Sequence, residues 1–264
     1  MGVLNLTPDS FSDGGRYEGL EPALAQARRL IGQGADILDI GGESTRPGAS
    51  PVPAEAEIGR VVPVITALAA EAAPPLSVDT MKPQVARAAV AAGATIWNDV
   101  TALSHAPDSA DVAAELGCQV VLMHMQGEPR TMQAAPHYED VTAEVCAFLV
   151  DRAAAAMAAG VAREKIWLDP GIGFGKSLDH NLALLAHLDA VCALGFPVLL
   201  GASRKRFIAA IHPGAEAPDA RAPGSIAAAL AGAQAGVAAV RVHDVGETIQ
   251  ALDVWSAIKA ARRP

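Results

Sequence analysis

Polar residues gather just after short apolar runs in this sequence, and their types limit the chemistry they could do. Asn5 ends the first run and opens Thr7-Pro8-Asp9-Ser10-Phe11-Ser12-Asp13-Gly14-Gly15. Asp39 ends the second, which leads into Gly41-Gly42-Glu43-Ser44-Thr45-Arg46-Pro47-Gly48. Later runs give way to Asp79-Thr80, Asn98-Asp99, His124-Met125-Gln126-Gly127, Asp169-Pro170-Gly171, Gly201-Ala202-Ser203-Arg204-Lys205 and Arg241-Val242-His243-Asp244. Asp and Asn side chains can read the donor and acceptor edge of a flat polar heterocycle. Arg46, Arg204, Lys205, Arg241 and His243 can hold an anion, Arg as a planar fork and Lys as a point charge. The first two loops are rich in Gly, Ser, Pro and Thr and read as lids over a reactive intermediate.

Other chemistries find no support. There is no Ser-His-Asp elbow, no His-Glu-x-x-His helix and no close acidic pair for glycoside cleavage. Gly171-x-Gly173-x-Gly175 lacks the spacing of a dinucleotide fingerprint. Gly175-Lys176-Ser177 ends like a phosphate loop, but its first glycine would fall at Pro170. His105, His137, His180, His187 and His212 read as surface or capping residues. For Asp99, Ser104 and Asp244, helix capping explains the residue type as well as a binding role does.

The elements that must position these groups follow one rhythm. Apolar runs at residues 2–6, 36–40, 76–78, 95–97, 119–123, 166–168, 198–200 and 238–242 are too short for helices and do not alternate. That fits parallel strands covered on both faces. Helical stretches separate them, at 21–33, 54–72, 83–92, 109–116, 138–159, 179–193, 226–235 and 246–261. Several end where a glycine follows: Gly34, Gly93, Gly117, Gly160, Gly195 and Gly236. The arithmetic is that of a single (β/α)8 TIM barrel over residues 1–264, with its active site at the C-terminal ends of the strands. A doubly wound open sheet shares the alternation, which by itself does not show closure.

Composition agrees. A chain of 264 residues that is 51% hydrophobic can bury a large core without disulfides or structural metal. Its 20 basic and 29 acidic residues give a net charge of −9, which argues against a nucleic-acid surface. No apolar stretch is long enough to span a membrane, and no secretory leader is visible. Cys118, Cys146 and Cys192 are too scattered for a disulfide framework and read as buried, reduced thiols of a cytoplasmic protein. Because residues 1–6 already read as a strand, the natural chain is expected to begin upstream.

The residues carry a family resemblance. The stretch from Met1 to Gly15 resembles the opening signature of the dihydropteroate synthase family, and Asp39 to Gly48 resembles its second. Ser77-Val78-Asp79-Thr80, Asn98-Asp99, Met123 to Gly127, Leu168 to Lys176, Gly201 to Lys205 and Arg241 to Val245 match further motifs in order, so the resemblance spans the chain. It implies a transferase of folate synthesis that joins 6-hydroxymethyl-7,8-dihydropterin diphosphate to 4-aminobenzoate, releasing pyrophosphate, and that sulfonamides target. It also implies small-molecule substrates, Mg2+ at Asn5, and a homodimer. Residues that precede the family's first strand are not found here.

Residue roles carry over by motif. Asp79, Asn98 and Asp169 would read the pterin, with Lys205 holding it. Thr45, Arg46, Arg241 and His243 match groups around the diphosphate. Phe11, Pro47 and Ser203 would shape the aminobenzoate pocket, although loop packing also explains Phe11 and Pro47. The implied mechanism is a dissociative substitution, with Asp13, Arg46 and Lys205 as its catalytic groups and Asp13 beside a methylene cation. A pterin-binding methyltransferase domain should lack Ser203-Arg204-Lys205, and a non-catalytic paralogue should have lost Arg46 or Arg241. This sequence keeps them all.

Overall fold

A computed structural model of the chain describes residues 1–6, 19–44, 49–128 and 131–261. Its parallel strands are β1 (Gly2–Asn5), β2 (Leu38–Gly41), β3 (Leu76–Asp79), β4 (Ile96–Asp99), β5 (Gln119–Met123), β6 (Ile166–Asp169), β7 (Leu199–Leu200) and β8 (Ala239–Val240). The first six form one sheet in sequence order, and β7 pairs with β8. Single parallel bridges, Leu168 to Val198 and Gly2 to Val242, join the two sheets at both seams. The eight strands thus follow one another around in (β/α)8 order, but the ladder is not continuous.

Helices occupy the connections: α1 (Leu20–Gly32), α2 (Ala54–Ala70), α3 (Pro83–Ala91), α4 (Ser109–Leu116), α5 (Val141–Ala158), α6 (Leu178–Ala186), α7 (Leu188–Cys192), α8 (Arg206–Ile211), α9 (Ala222–Ala235) and α10 (Val245–Ala261). Local chemistry sets several ends. Asp140 accepts from the N–H groups of Thr142 and Ala143 to start α5, Pro83 opens α3, and Ser177 and His180 form a capping box on α6. All six glycines expected beyond helix ends have positive φ.

Four expectations need correction. The stretch expected as one helix over 179–193 is interrupted at His187, and nothing in the sequence there signals the break. The short helix α8 was not anticipated, since six residues between a basic run and His212-Pro213-Gly214 carry little periodicity. The last two strands are shorter than their apolar runs, because Val198 and Val242 each make one bridge across a seam. Of the cysteines only Cys118 is buried; Cys146 and Cys192 are half-buried, and all three are free thiols.

Alternation along the strands makes two cores. Leu4, Leu38, Ile40, Val78, Trp97, Val120, Leu122, Ile166 and Leu168 face outward and pack with the helices. Ile96, Val121 and Leu199 face inward, with Met1, Ile37, Trp167 and Ala239 against them. This inner cluster forms an apolar floor. The polar strand ends stand above it.

Candidate active site

The site is built from register. Asn5, Gly41, Asp79 and Asn98 are successive pairing partners across β1 to β4, so they lie in one row. Asp169 ends β6 opposite Met123. Asp39 sits one inward-facing position earlier on β2 and is fully buried. From the end of β8, Arg241 reaches across to both acidic strands: Nε donates to Asp39 Oδ2 at 2.6 Å and Nη2 to Asp79 Oδ2 at 2.7 Å. Asn98 Nδ2 also donates to Asp39 Oδ2, at 3.2 Å.

The electrostatics are those of a desolvated cluster. Burial alone would lower the Arg241 pKa, but the Asp39 and Asp79 carboxylates hold it above its ordinary value. Burial pushes Asp79 up against the pull of Arg241. Burial also raises Asp169, opposed by the Gly171 N–H that bonds its Oδ1 at 2.7 Å and by Lys205, Arg241 and Lys176. Two carboxylate oxygens, Asp39 Oδ1 and Asp79 Oδ1, are buried with no partner, although buried polar atoms are normally satisfied. Such oxygens can receive donors from a ligand.

Loops after the strands complete the walls. The chain after β6 lies directly on the chain after β5: a Cβ on Gly171 would strike the His124 carbonyl, and one on Gly175 the Gln126 carbonyl. Both glycines also need positive φ. Buried Lys176 fastens this contact. Its Nζ donates to the carbonyls of Gly171 and Phe174, both at 3.0 Å, and lies 2.9 Å from His124 Nδ1. Burial lowers Lys176 to about 7 and His124 to about 3. Phe174, held by this loop, places its ring 3.9 Å from the Lys205 ammonium.

On the adjoining wall, after β7 and β8, Ser203 Oγ lies 3.1 Å from His243 Nδ1 and accepts the His243 N–H at 3.2 Å. Burial, then the nearby Arg241 cation, lowers His243 to about 3, so the ring is neutral at pH 7. Ser203 Oγ and His243 Nδ1 share one hydrogen bond, whose direction follows the ring tautomer.

The structure therefore brings Asn5, Asp79, Asn98, Asp169, Ser203, Lys205, Arg241 and His243 to one mouth. Phe11, Asp13, Thr45, Arg46 and Pro47 lie outside the described residues. Arg204 is corrected: it does not offer its charge to an anion at the mouth, because its side chain is bound to Asp244 and Asp219. Asp99 serves a turn, accepting from Thr101 and Leu103 N–H groups. Asp39, Phe174 and Lys176 went unassigned from sequence. The signal for Asp39 was an acid inside an otherwise apolar strand; Lys176 was obscured by the failed phosphate-loop reading. Another unassigned network lies beside the second loop, where Lys82 Nζ bonds Glu43 at 2.6 Å and buried Glu57 at 2.5 Å. Glu43 also accepts the Val52 N–H.

Residues 1–243 match the family model described as pterin binding enzyme. The chain is 48% identical to the dihydropteroate synthase of Escherichia coli (strain K12), covering 99% of this chain and 92% of that protein. The chain belongs to the dihydropteroate synthase family. A Xanthomonas albilineans dihydropteroate synthase solved with 4-aminobenzoic acid is 55% identical, with a TM-score of 0.91 over 98% of this chain and 92% of that one. A Yersinia pestis dihydropteroate synthase solved with a sulfonamide drug complex is 44% identical, with a TM-score of 0.92 over 98% and 93%. These family members are transferases, and the row of polar strand ends is the part of this chain suited to their heterocyclic substrate.

Proposed function

We propose that this protein condenses 6-hydroxymethyl-7,8-dihydropterin diphosphate with 4-aminobenzoate, giving 7,8-dihydropteroate and pyrophosphate. The observation that carries the reading is the inward cluster of Asp79, Asn98 and Asp169 beside Lys205, with Asp79 Oδ1 buried and unpartnered. Asp169 and Asp79 accept from pterin N–H groups, and Asn98 reads the adjoining edge. Lys205, stacked on Phe174, closes one side of the ring site. Arg241 has two of its nitrogens on carboxylates, which leaves Nη1 for a diphosphate oxygen, and His243, in the tautomer whose Nδ1 accepts from Ser203, adds Nε2–H. These donors stabilise charge on the departing pyrophosphate. The C–O bond to the exocyclic methylene breaks, the pterin carries the resulting cation, and the neutral arylamine forms the new C–N bond and then loses a proton.

The residues present fit Mg2+. Asn5 contributes one neutral oxygen donor, and no group of three or more His, Cys, Asp or Glu that could cage a metal occurs among the described residues. That set suits an ion held largely by substrate phosphates and water. Such an ion neutralises diphosphate charge when bound. The family's roles for Asp13, Thr45, Arg46, Phe11 and Pro47 extend the proposal to the first two loops. Ser203 borders the aminobenzoate, and sulfonamides compete there. Three free thiols favour the cytoplasm, and no helix among the described residues is long and apolar enough to cross a membrane. Exposed Val254 and Ile258, four positions apart on α10, favour a homodimer.

The test is to mix the protein with pterin diphosphate, 4-aminobenzoate and Mg2+ and follow pyrophosphate and dihydropteroate. Both should appear together and stop on chelation. Pterin binding without pyrophosphate release would leave only a binding protein.

A further inference from the structure

Arg204 occupies a position that a side-chain-bearing residue adopts at a cost. Its φ is +58°, in the left-handed region that favours glycine. Glycine would reach that conformation freely, yet arginine stands there, and every polar part of it is bound. Its N–H donates to Ser225 Oγ at 2.8 Å, and its carbonyl accepts from Arg221 Nη1 at 2.9 Å. Its guanidinium makes a two-pronged contact with Asp244, Nε to Oδ2 at 3.0 Å and Nη2 to Oδ1 at 2.6 Å. Nη1 reaches Asp219, which is largely exposed, at 3.1 Å.

The neighbours give this contact its meaning. Ser203 and Lys205 flank Arg204, and both belong to the mouth: Ser203 bonds His243, and Lys205 lies over Phe174. Asp244 directly follows His243. The Arg204–Asp244 fork thus joins the chain after β7 to the chain after β8, next to a site residue on each. These strands share only two pairs of partners, and their last backbone bond runs from the Arg241 N–H to the Leu200 carbonyl, so backbone pairing stops short of Ser203 and His243. A planar arginine–carboxylate fork fixes orientation as well as distance.

The geometry points to Arg204 as a positioning residue, whose fork on Asp244 holds Lys205 and His243 at the spacing needed to grip one substrate from two loops. The inference rests on the proposed reaction, and the experiment separates the two. Wild-type protein is assayed first; absence of dihydropteroate there would overturn the reaction, not this role. Arg204→Gly keeps φ free of strain while deleting the fork, and Asp244→Asn leaves residue 204 unchanged while weakening it. Each should lower kcat/KM for the pterin diphosphate on the order of 10–100-fold, mostly through KM, the scale of a small misplacement of binding groups. Arg204→Lys, which keeps the charge, should recover part of the loss. The double variant should be no worse than the poorer single one, since both remove the same contact. A purely structural role would lower Tm and leave KM in place. Wild-type KM in both single variants, or additive losses in the double, would overturn the assignment. Should Arg204→Gly not fold, the KM of Asp244→Asn decides alone.

Discussion

Strands β1 to β6 hold one another by backbone ladders three or four pairs long, whereas β7 and β8 share two pairs and touch their neighbours through one bridge each. Side chains make up the difference. Arg241 ties the end of β8 to β2 and β3, Ser203 meets His243, and Arg204 grips Asp244. In the ladder-held part, site residues inherit their positions from strand register. In the short-stranded part, their positions depend on ion pairs and hydrogen bonds, so one substitution can displace them.

Removing the staple is the strongest way to break this contrast. Arg241→Met would leave Asp39 and Asp79 buried beside each other without their cation. Stripping one partner from a buried ion pair costs about 3–5 kcal/mol. Urea unfolding should show that loss, and amide exchange should accelerate more at Leu199, Leu200, Ala239 and Val240 than in β3 to β5. A loss below about 1 kcal/mol, or uniform acceleration, would show that the staple is dispensable.

A smaller effect is expected where two loops meet by backbone. Gly171→Ala combines a clash on the His124 carbonyl with a φ of +68°, for about 2–4 kcal/mol. Gly236→Ala, with φ +91° but open space around it, should cost only roughly 1–2 kcal/mol. Equal denaturation midpoints for the two variants would mean that the loop contact yields easily.

Each part also holds an imidazole shielded from water, His124 buried and His243 half-buried. His124 beside Lys176 and His243 beside Arg241 both have values lowered to about 3. A histidine whose folded pKa is depressed binds its proton late, so both rings should stay neutral from pH 8 down to pH 5, and their stabilising contribution should fade only as pH drops from about 6.5 toward 3. NMR titration of the ring protons checks this. Lys176→Met should raise the His124 value and leave His243 where it is; movement of both would tie the two walls into one electrostatic unit.

The smallest effect belongs to the outer surface. Arg28 and Glu71 are bonded at 2.6 Å, but both are well exposed, and an exposed pair seldom adds measurable stability. Arg28→Ala should leave Tm within error.

The same division explains what could be read from sequence. The placement of Asp79, Asn98 and Asp169 at the mouth was legible because each follows an apolar run, and a parallel barrel delivers every such end to one mouth. The β/α order was legible for the same reason. Arg204 was not: its residue type suggests an anion site, and only its left-handed turn and the nearness of Asp244 reveal where the charge is spent. Asp39 and Lys176 escaped because their partners, Arg241 and His124, are 202 and 52 residues away. The seams were hidden too, since a two-residue strand and a longer one look alike as apolar runs.

The apolar floor of Ile96, Val121 and Leu199, packed with Met1, Ile37, Trp167 and Ala239, turns the barrel into a cup and not a tube. Traffic therefore has one rim to cross. Both substrates arrive and both products depart by the same opening, and a molecule seated deepest in the cup cannot escape past one seated above it. Asp79, Asn98 and Asp169 stand on the inward row just above that floor, so under the proposed reaction the pterin takes the deepest seat in the cup.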